Sequence, residues 1–382
     1  MIKNKPLELY FHIPFCVQKC LYCDFLSGVY DEETQNAYMK ALLKEVTGRA
    51  KECSDYQVQS IFIGGGTPAV VAADWMEVLL STVRECFDLA QDAEISIEAN
   101  PGTVDYEKLS RYRAAGINRL SIGLQSAHDE ELKALGRIHT FGQFQDAYRW
   151  AGQAGFDNIN VDIMSALPNQ TPEAFKQTLQ AVLSLTPPPV HISAYSLIVE
   201  EGTAFAKFKE QGRLNLPTEE QEREMYWETH RILTQAGYEH YEISNYALRG
   251  YACKHNCGYW SRKEYLGFGI GAASLFLNRR FTNGSDMAKY LQTPLSVRSE
   301  ATVLSRSDRM EEFMFLGLRL LGGVCTREFE EAFGVAIQQV YGRVIEKNIQ
   351  DGLLTFDEKG GYLAFTERGI DVSNYVLAQF LF

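Results

Sequence analysis

Cys16, Cys20 and Cys23 stand close together at CxxxCxxC spacing, directly after the apolar run Leu9-Tyr10-Phe11-His12-Ile13. That run reads as a β-strand, so the three thiols share the loop that leaves it. Thiolates on so short a loop can grip one inorganic cluster, and soft sulfur ligands suit iron–sulfur clusters better than hard metals. A [4Fe–4S] cubane has one more iron than this triad can ligate. That iron is open to an exogenous ligand. The competing reading is structural zinc with a fourth ligand from elsewhere. Position 25, where a further nearby thiolate would be sought, holds Phe25, and no second CxxC pair follows at zinc-ribbon spacing.

Other chemistry-bearing residues recur at the ends of apolar runs. Gly64-Gly65-Gly66-Thr67-Pro68 lets a ligand approach the backbone, although a tight turn would use the same residues. Glu98 and Asn100 alternate along Ser96–Pro101 and so face one side. A carboxylate there suits an ammonium or ribose hydroxyls, or equally a cap or ion pair. Gln125 follows Leu120–Leu124. Arg137 offers a guanidinium fork for a carboxylate. Asp162 interrupts an apolar run and needs a partner if buried. Each alone is more often structural. Together they suit an amphoteric amino-acid ligand bearing a ribose and an adenine.

The elements that must position these residues alternate. Strands are expected at Leu7–Ile13, Ser60–Gly64, Glu94–Glu98, Arg119–Gly123, Asn158–Ile163 and His191–Leu197. Helices are expected at Glu32–Lys51, Asp74–Cys86, Asp105–Ala114, Phe141–Ala154 and Pro172–Leu185. The pattern is α/β with a parallel sheet, and it stops near Leu197, two units short of a full eight-fold barrel. A partial (β/α)6 TIM-like barrel is therefore expected. Sites in such sheets lie at the carboxyl ends of strands, where the cysteine loop falls. With the long helix Glu219–Ala236 the barrel domain is taken as residues 1–236. A connecting segment follows at 237–300. Residues 301–382 read as a smaller, mostly helical domain of winged-helix-like order, with helices at Arg309–Leu320, Arg327–Phe333 and Ala336–Asp351, a hairpin and a final helix.

A net charge of -12 argues against a nucleic-acid backbone as partner, and the acidic loop Asp357-Glu358-Lys359 argues against DNA binding by the last domain. No apolar run is long enough to span a membrane, and the start Met1–Pro6 lacks the apolar core of a signal peptide. A cytoplasmic location is expected. Cys53, Cys86 and Cys325 are isolated and read as buried small hydrophobes.

The motifs in order, CxxxCxxC with Tyr22, GGGTP, IEANPG, SIGLQS and GRIH, resemble the radical S-adenosylmethionine superfamily, and within it the oxygen-independent coproporphyrinogen oxidases. The resemblance covers nearly the whole chain. It implies that Cys16, Cys20 and Cys23 hold a [4Fe–4S] cluster whose open iron takes the methionyl amine and carboxylate of S-adenosylmethionine. Gly65, Gly66, Thr67, Glu98, Gln125, Arg137 and Asp162 become its candidate contacts, and Tyr10 resembles a tyrosine that abuts the cofactor. The decarboxylating enzymes resemble CxxxCxxCxC, with a cysteine where this chain has Phe25, and carry an extension ahead of the first strand. Both departures resemble instead the HemW group of haem chaperones. That group has an HNxxYW signature, matched by His255-Asn256-Cys257-Gly258-Tyr259-Trp260. The resemblance implies haem contact at His255, an imidazole of the kind that ligates haem iron, and at Tyr259. With Cys253 and Cys257 beside it, a zinc or second-cluster site is the alternative. The resemblance further implies passage of haem to apo-haemoproteins such as respiratory enzymes, at the membrane, and is compatible with a homodimer. The rival is a catalytic radical enzyme that decarboxylates a porphyrinogen.

Overall fold

Along the first strand, Leu7, Leu9, Phe11 and Ile13 are fully buried on one face while Glu8, Tyr10 and His12 point to the other. This alternation sets the architecture of the computed structural model, which describes residues 5–357 and 359–382. The start Met1–Asn4, and Glu358 of the acidic loop, lie outside the described residues. The strands are β1 (Lys5–Ile13), β2 (Tyr56–Gly65), β3 (Asp88–Ala99), β4 (Arg119–Gln125), β5 (Ile159–Ser165) and β6 (His191–Ser196), each parallel to the next. Helices α1 (Glu32–Arg49), α2 (Ala73–Cys86), α3 (Tyr106–Ala114), α4 (Asp129–Ala134), α5 (Phe141–Gln153) and α6 (Pro172–Leu183) return the chain between them. Their starts follow from the sequence: Asp31, Asp105, Thr140 and Thr171 each accept a backbone N–H of the first turn. The apolar strand faces pack against these helices as one core.

The six-unit partial barrel is thus observed. Its inner face is polar, carrying Glu8, Ser60, Glu94, Arg119, Asn160 and His191, all buried. Strands β2 and β3 begin well before the expected positions, because Tyr56–Gln59 and Asp88–Ala93 are polar-interrupted lengths that still pair.

An open barrel leaves unpaired backbone groups at β1 and β6. Residues 237–300, expected as a connecting segment, instead form strands that cover both edges. After α7 (Ala204–Glu210) and α8 (Glu219–Gln235) come β7 (Glu239–Glu242) and β8 (Asn245–Ala247); β8 adds antiparallel to β6, and β7 antiparallel to β8. After α9 (Lys254–Trp260), β9 (Tyr265–Phe268) adds parallel to β1, followed by β10 (Ala273–Phe276), β11 (Arg279–Thr282) and β12 (Thr302–Val303). Buried Glu45 of α1 ties this edge down, accepting from the Gly269 N–H, Asn283 and Tyr290.

The last domain has its own core around Phe329, Ile337, Leu363 and Phe380. Helices Arg306–Gly317, Thr326–Phe333 and Ile337–Gln350 pack with a sheet of β13 (Val324–Cys325), β14 (Leu354–Asp357) and β15 (Tyr362–Phe365). The expected final helix is two short ones, Glu367–Asp371 and Ser373–Ala378, which meet at Val372. Cys53 and Cys325 are buried as expected; Cys86 is only half-buried, at the last turn of α2. No described helix is long and apolar enough to cross a membrane.

Candidate cofactor site

The cysteine loop is closed at its neck. The Cys16 N–H donates to the Gly28 carbonyl and the Gly28 N–H to that of Pro14, both at 2.9 Å. Phe15 is buried beneath this neck, edge-on to Tyr30 and Tyr38. The middle is pinned from outside: the Leu21 N–H donates to the Leu135 carbonyl, and the Phe205 N–H of α7 to that of Leu21, each at 3.0 Å. So fixed, Cys16, Cys20 and Cys23 line a cleft of about 470 Å³ at the carboxyl ends of the strands. Tyr10, Gly65, Gly66, Thr67, Glu98, Gln125, Arg137 and Asp162 line the same cleft, so the structure brings all these expected residues together.

A hydrogen-bond chain links two of the thiols. The Thr67 hydroxyl lies 3.9 Å from Cys16 Sγ and accepts from Asn100 Nδ2 at 2.6 Å. Asn100 Oδ1 accepts from Arg137 Nη2 at 2.7 Å, and Arg137 Nη1 lies 3.7 Å from Cys20 Sγ. The buried Arg137 Nε has no partner. Gly66 presses on the loop: a Cβ there would sit 2.6 Å from the Phe15 carbonyl oxygen and 3.0 Å from Cys16 Sγ. Gly65 takes a φ of 117°, open to glycine alone among common residues.

The carboxylates are set for a cationic or hydroxyl-rich ligand. Glu98 accepts the Gly65 N–H at 3.1 Å. Burial, with the charge of Asp162 behind it, pushes the Glu98 carboxyl up to about 8. Asp162 is also raised by burial; Asn160 at 2.8 Å and Ser121 at 3.0 Å donate to it and oppose the rise. Gln125 sits at a register shift in β4 with φ of 73°, a conformation that aims its side chain back into the cleft. The Tyr10 hydroxyl meets His12 Nδ1 at 3.0 Å, and His12 Nε2 donates to the Leu26 carbonyl at 2.8 Å.

Donor chemistry fits a cluster. Among the described residues no three His, Cys, Asp or Glu side chains converge closely enough to hold a single metal ion. The thiols nevertheless face one cleft, as a multi-iron cluster, which takes one thiolate per iron, requires.

His255 and Tyr259 lie elsewhere in that space. Register places Glu8, Ser60 and Glu94 in one row across β1, β2 and β3. This row is roughly 16 Å of strand below Ile13, at about 3.3 Å per residue. His255 packs on it, 1% exposed. Its Nδ1 meets Ser60 Oγ and its Nε2 the Tyr259 hydroxyl, both at 2.8 Å, and its ring stacks on Phe62. Burial pushes the imidazole down to about 3 and Glu8 up to about 8, so the 3.9 Å approach of Glu8 to His255 joins neutral groups. Cys253 Sγ and the His255 N–H both point at Glu94 Oε1. Gly258 lies flat on Glu8, where any Cβ would collide. On the far side of α9, Trp260 stacks under Arg319, and Arg262 pairs with Glu312 of the last domain at 2.7 Å. The helix is thus wedged between barrel floor and last domain.

Residues 10–182 match the family model described as the radical SAM superfamily, and residues 304–372 the HemN C-terminal domain. The heme chaperone HemW of Lactococcus lactis is 38% identical over 379 residues, 99% of this chain and 98% of the relative. The heme chaperone HemW of Escherichia coli is 37% identical over 392 residues, the full length of both. The chain belongs to the HemW family. Among solved structures, the coproporphyrinogen III oxidase HemN from Escherichia coli, a radical SAM enzyme, superposes with a TM-score of 0.84 at 25% identity, over 99% of this chain and 90% of that one. This chain therefore shares the fold of nine-tenths of that oxidase. What sequence reading missed of the polar inner face is His12, Arg119, Asn160 and His191. The signal was present in the period-two alternation of Ser96/Glu98, Arg119/Ser121, Asn160/Asp162 and His191/Ser193 between buried apolar residues.

Proposed function

We propose that the chain is a haem chaperone: it takes up haem and passes it to apo-haemoproteins, respiratory enzymes among them, in the cytoplasm and at the membrane surface. The observation that carries this reading is end-to-end similarity to haem chaperones at 37–38% identity, set against 25% to the oxidase. Phe25, standing where the oxidase pattern has a further cysteine, supports it.

In this reading Cys16, Cys20 and Cys23 hold a [4Fe–4S] cluster, which with S-adenosylmethionine supplies one-electron chemistry. The protein's own part is positioning. Arg137, fixed by Asn100 and the Gly123 carbonyl, offers its fork to a carboxylate. Gly65 and Gly66 allow close backbone approach, with Thr67 beside Cys16. Glu98, Gln125 and Asp162 receive the amine and ribose, and Tyr10 closes the cofactor's apolar side. His255 and Tyr259 are the signature's candidates for haem contact. For His255 to ligate iron, one of its two ring bonds must open.

The test is anaerobic reconstitution of the full chain with iron and sulfide, followed by separate exposure to haem and to coproporphyrinogen III. Haem uptake without decarboxylation is expected. Sustained decarboxylation would overturn the reading in favour of the oxidase, whose architecture the chain shares.

A further inference from the structure

Arg119 opens β4 on the inner face of the barrel, 2% exposed, and its side chain lines the cleft. A guanidinium stays protonated at any working pH, so this is a charge carried into the interior. Buried charges are normally met by an opposite charge. This one is not. Its Nη1 donates to Asn158 Oδ1 at 2.8 Å and to the Tyr251 carbonyl at 3.4 Å. Nε and Nη2 make no hydrogen bond, and the group no ion pair, among the described residues. Glu94 and Asp162 act on it only at longer range, and both are engaged elsewhere. Glu94 faces Cys253 and the His255 N–H, while Asp162 accepts from Asn160 and Ser121. Nε and Nη2 are thus free to hold an anion.

Register places Arg119 beside Ser96 of β3, one inward-facing row below Glu98 and one above Glu94. It stands roughly 7 Å of strand deeper than Glu98, toward the floor on which α9 packs. The Tyr251 carbonyl it holds belongs to the segment leading into α9, whose His255, Asn256 and Tyr259 line the same cleft. At the cysteine end, the carboxylate of S-adenosylmethionine has in the chaperone reading the fork of Arg137, 3.7 Å from Cys20 Sγ. The cleft is apolar over most of its lining, with Tyr10, Phe62, Met164 and Tyr195 among its walls. A ligand that suits an apolar cleft and a buried guanidinium together is a flat apolar body with a carboxylate arm.

We propose that Arg119 is the counter-ion for a propionate of haem. The macrocycle lies along the apolar wall beside the HNxxYW helix, and one propionate turns down to Nε and Nη2. The assignment rests on the chaperone reading and adds a residue outside the signature that recognises the cargo. Arg119 reads the charged edge of the ligand and leaves the iron to other groups. It selects porphyrins with free carboxylates over esterified ones.

The experiment uses the full chain with its cluster reconstituted. Haem and its dimethyl ester, which lacks the propionate charges, are titrated in one detergent buffer against wild type, Arg119→Gln, Arg119→Lys and Arg111→Gln. Arg111 pairs with Glu77 on the outer surface and controls for the loss of one positive charge. Iron content, S-adenosylmethionine affinity and circular dichroism are measured on each. Wild type is expected to bind haem about tenfold or more tighter than the ester, the worth of one charge-assisted contact. Arg119→Gln loses that preference, Arg119→Lys keeps part of it, and Arg111→Gln keeps it in full. The wild-type comparison needs no variant to fold. A wild type that binds neither porphyrin overturns the chaperone reading itself. If wild type binds both equally, or if Arg119→Gln weakens both by the same factor, the counter-ion assignment alone falls and Arg119 is a structural group. It falls too if Arg119→Gln weakens S-adenosylmethionine and leaves haem unchanged, which would give the guanidinium to the cofactor.

Discussion

His255 Nδ1 lies 2.8 Å from Ser60 Oγ, a contact that fastens the HNxxYW helix to the second barrel strand. The same ring reaches Tyr259 through Nε2, so truncation orphans the buried Ser60 hydroxyl and the half-buried Tyr259 hydroxyl and leaves a cavity beside Phe62. His255→Ala is expected to cost about 2–4 kcal/mol of stability, as buried polar networks do when one member is lost. Denaturant unfolding monitored by far-ultraviolet circular dichroism measures this. An unchanged midpoint would show that the motif does not wedge the floor.

Cys20→Ala should abolish cluster retention, since two thiolates remain for a cluster of four irons. Iron and sulfide per chain after anaerobic reconstitution and desalting measures it. Cys53→Ala and Cys325→Ala, remote from the cleft and buried in their own cores, should reconstitute like wild type. Full cluster content in Cys20→Ala contradicts the ligand assignment.

Gly66→Ala places a methyl against the Phe15 carbonyl and Cys16 Sγ. The neck of the cysteine loop must shift, while the helices and core are untouched. Cluster content and S-adenosylmethionine affinity should both fall about tenfold, with little loss of overall stability. Equilibrium dialysis with labelled cofactor, alongside thermal unfolding, separates the two. Equal losses in a variant at the unconstrained Gly152, which has no atom within 4 Å of an added Cβ, would mean that Gly66 is not special.

Burial holds Glu98 near 8, so at neutral pH the empty site carries a neutral carboxyl. Ammonium or ribose donors favour the ionised form. Binding must therefore release a proton below pH 8, and S-adenosylmethionine affinity should rise with pH between 6 and 7.5, by up to about tenfold per unit. Glu98→Gln cannot titrate and should bind weakly with no such slope. Isothermal titration in buffers of different ionisation enthalpy counts the released proton. A flat profile in wild type would place the ionisable group elsewhere.

The six barrel strands were legible because each is an apolar run bounded by turn residues, and the cysteine loop because spacing alone defines it. The edge strands β7 to β12 were not: each is two to four residues long, and glycines between them break the period that strand reading relies on. Glu98 and Asn100 were readable as a pair from alternation; Arg119 and His191 were read only as the first residues of their strands, although the same alternation places them on the polar face. The depth of His255 was illegible for another reason. A seven-residue helix shows which residues are adjacent, but which side meets the barrel is decided by Gly258, whose missing side chain lets α9 settle on Glu8.

The central claim is tested most directly by transfer. Cluster-loaded full-length protein carrying one equivalent of haem is mixed anaerobically with an apo-haemoprotein, and the acceptor's absorption and activity are followed while a parallel sample is offered coproporphyrinogen III and S-adenosylmethionine. The account predicts stoichiometric movement of haem to the acceptor, faster than from free haem at the same concentration, and no carbon dioxide from the porphyrinogen. Haem that stays on the protein, or transfers no faster than free haem, while the porphyrinogen is decarboxylated through many turnovers, would contradict it.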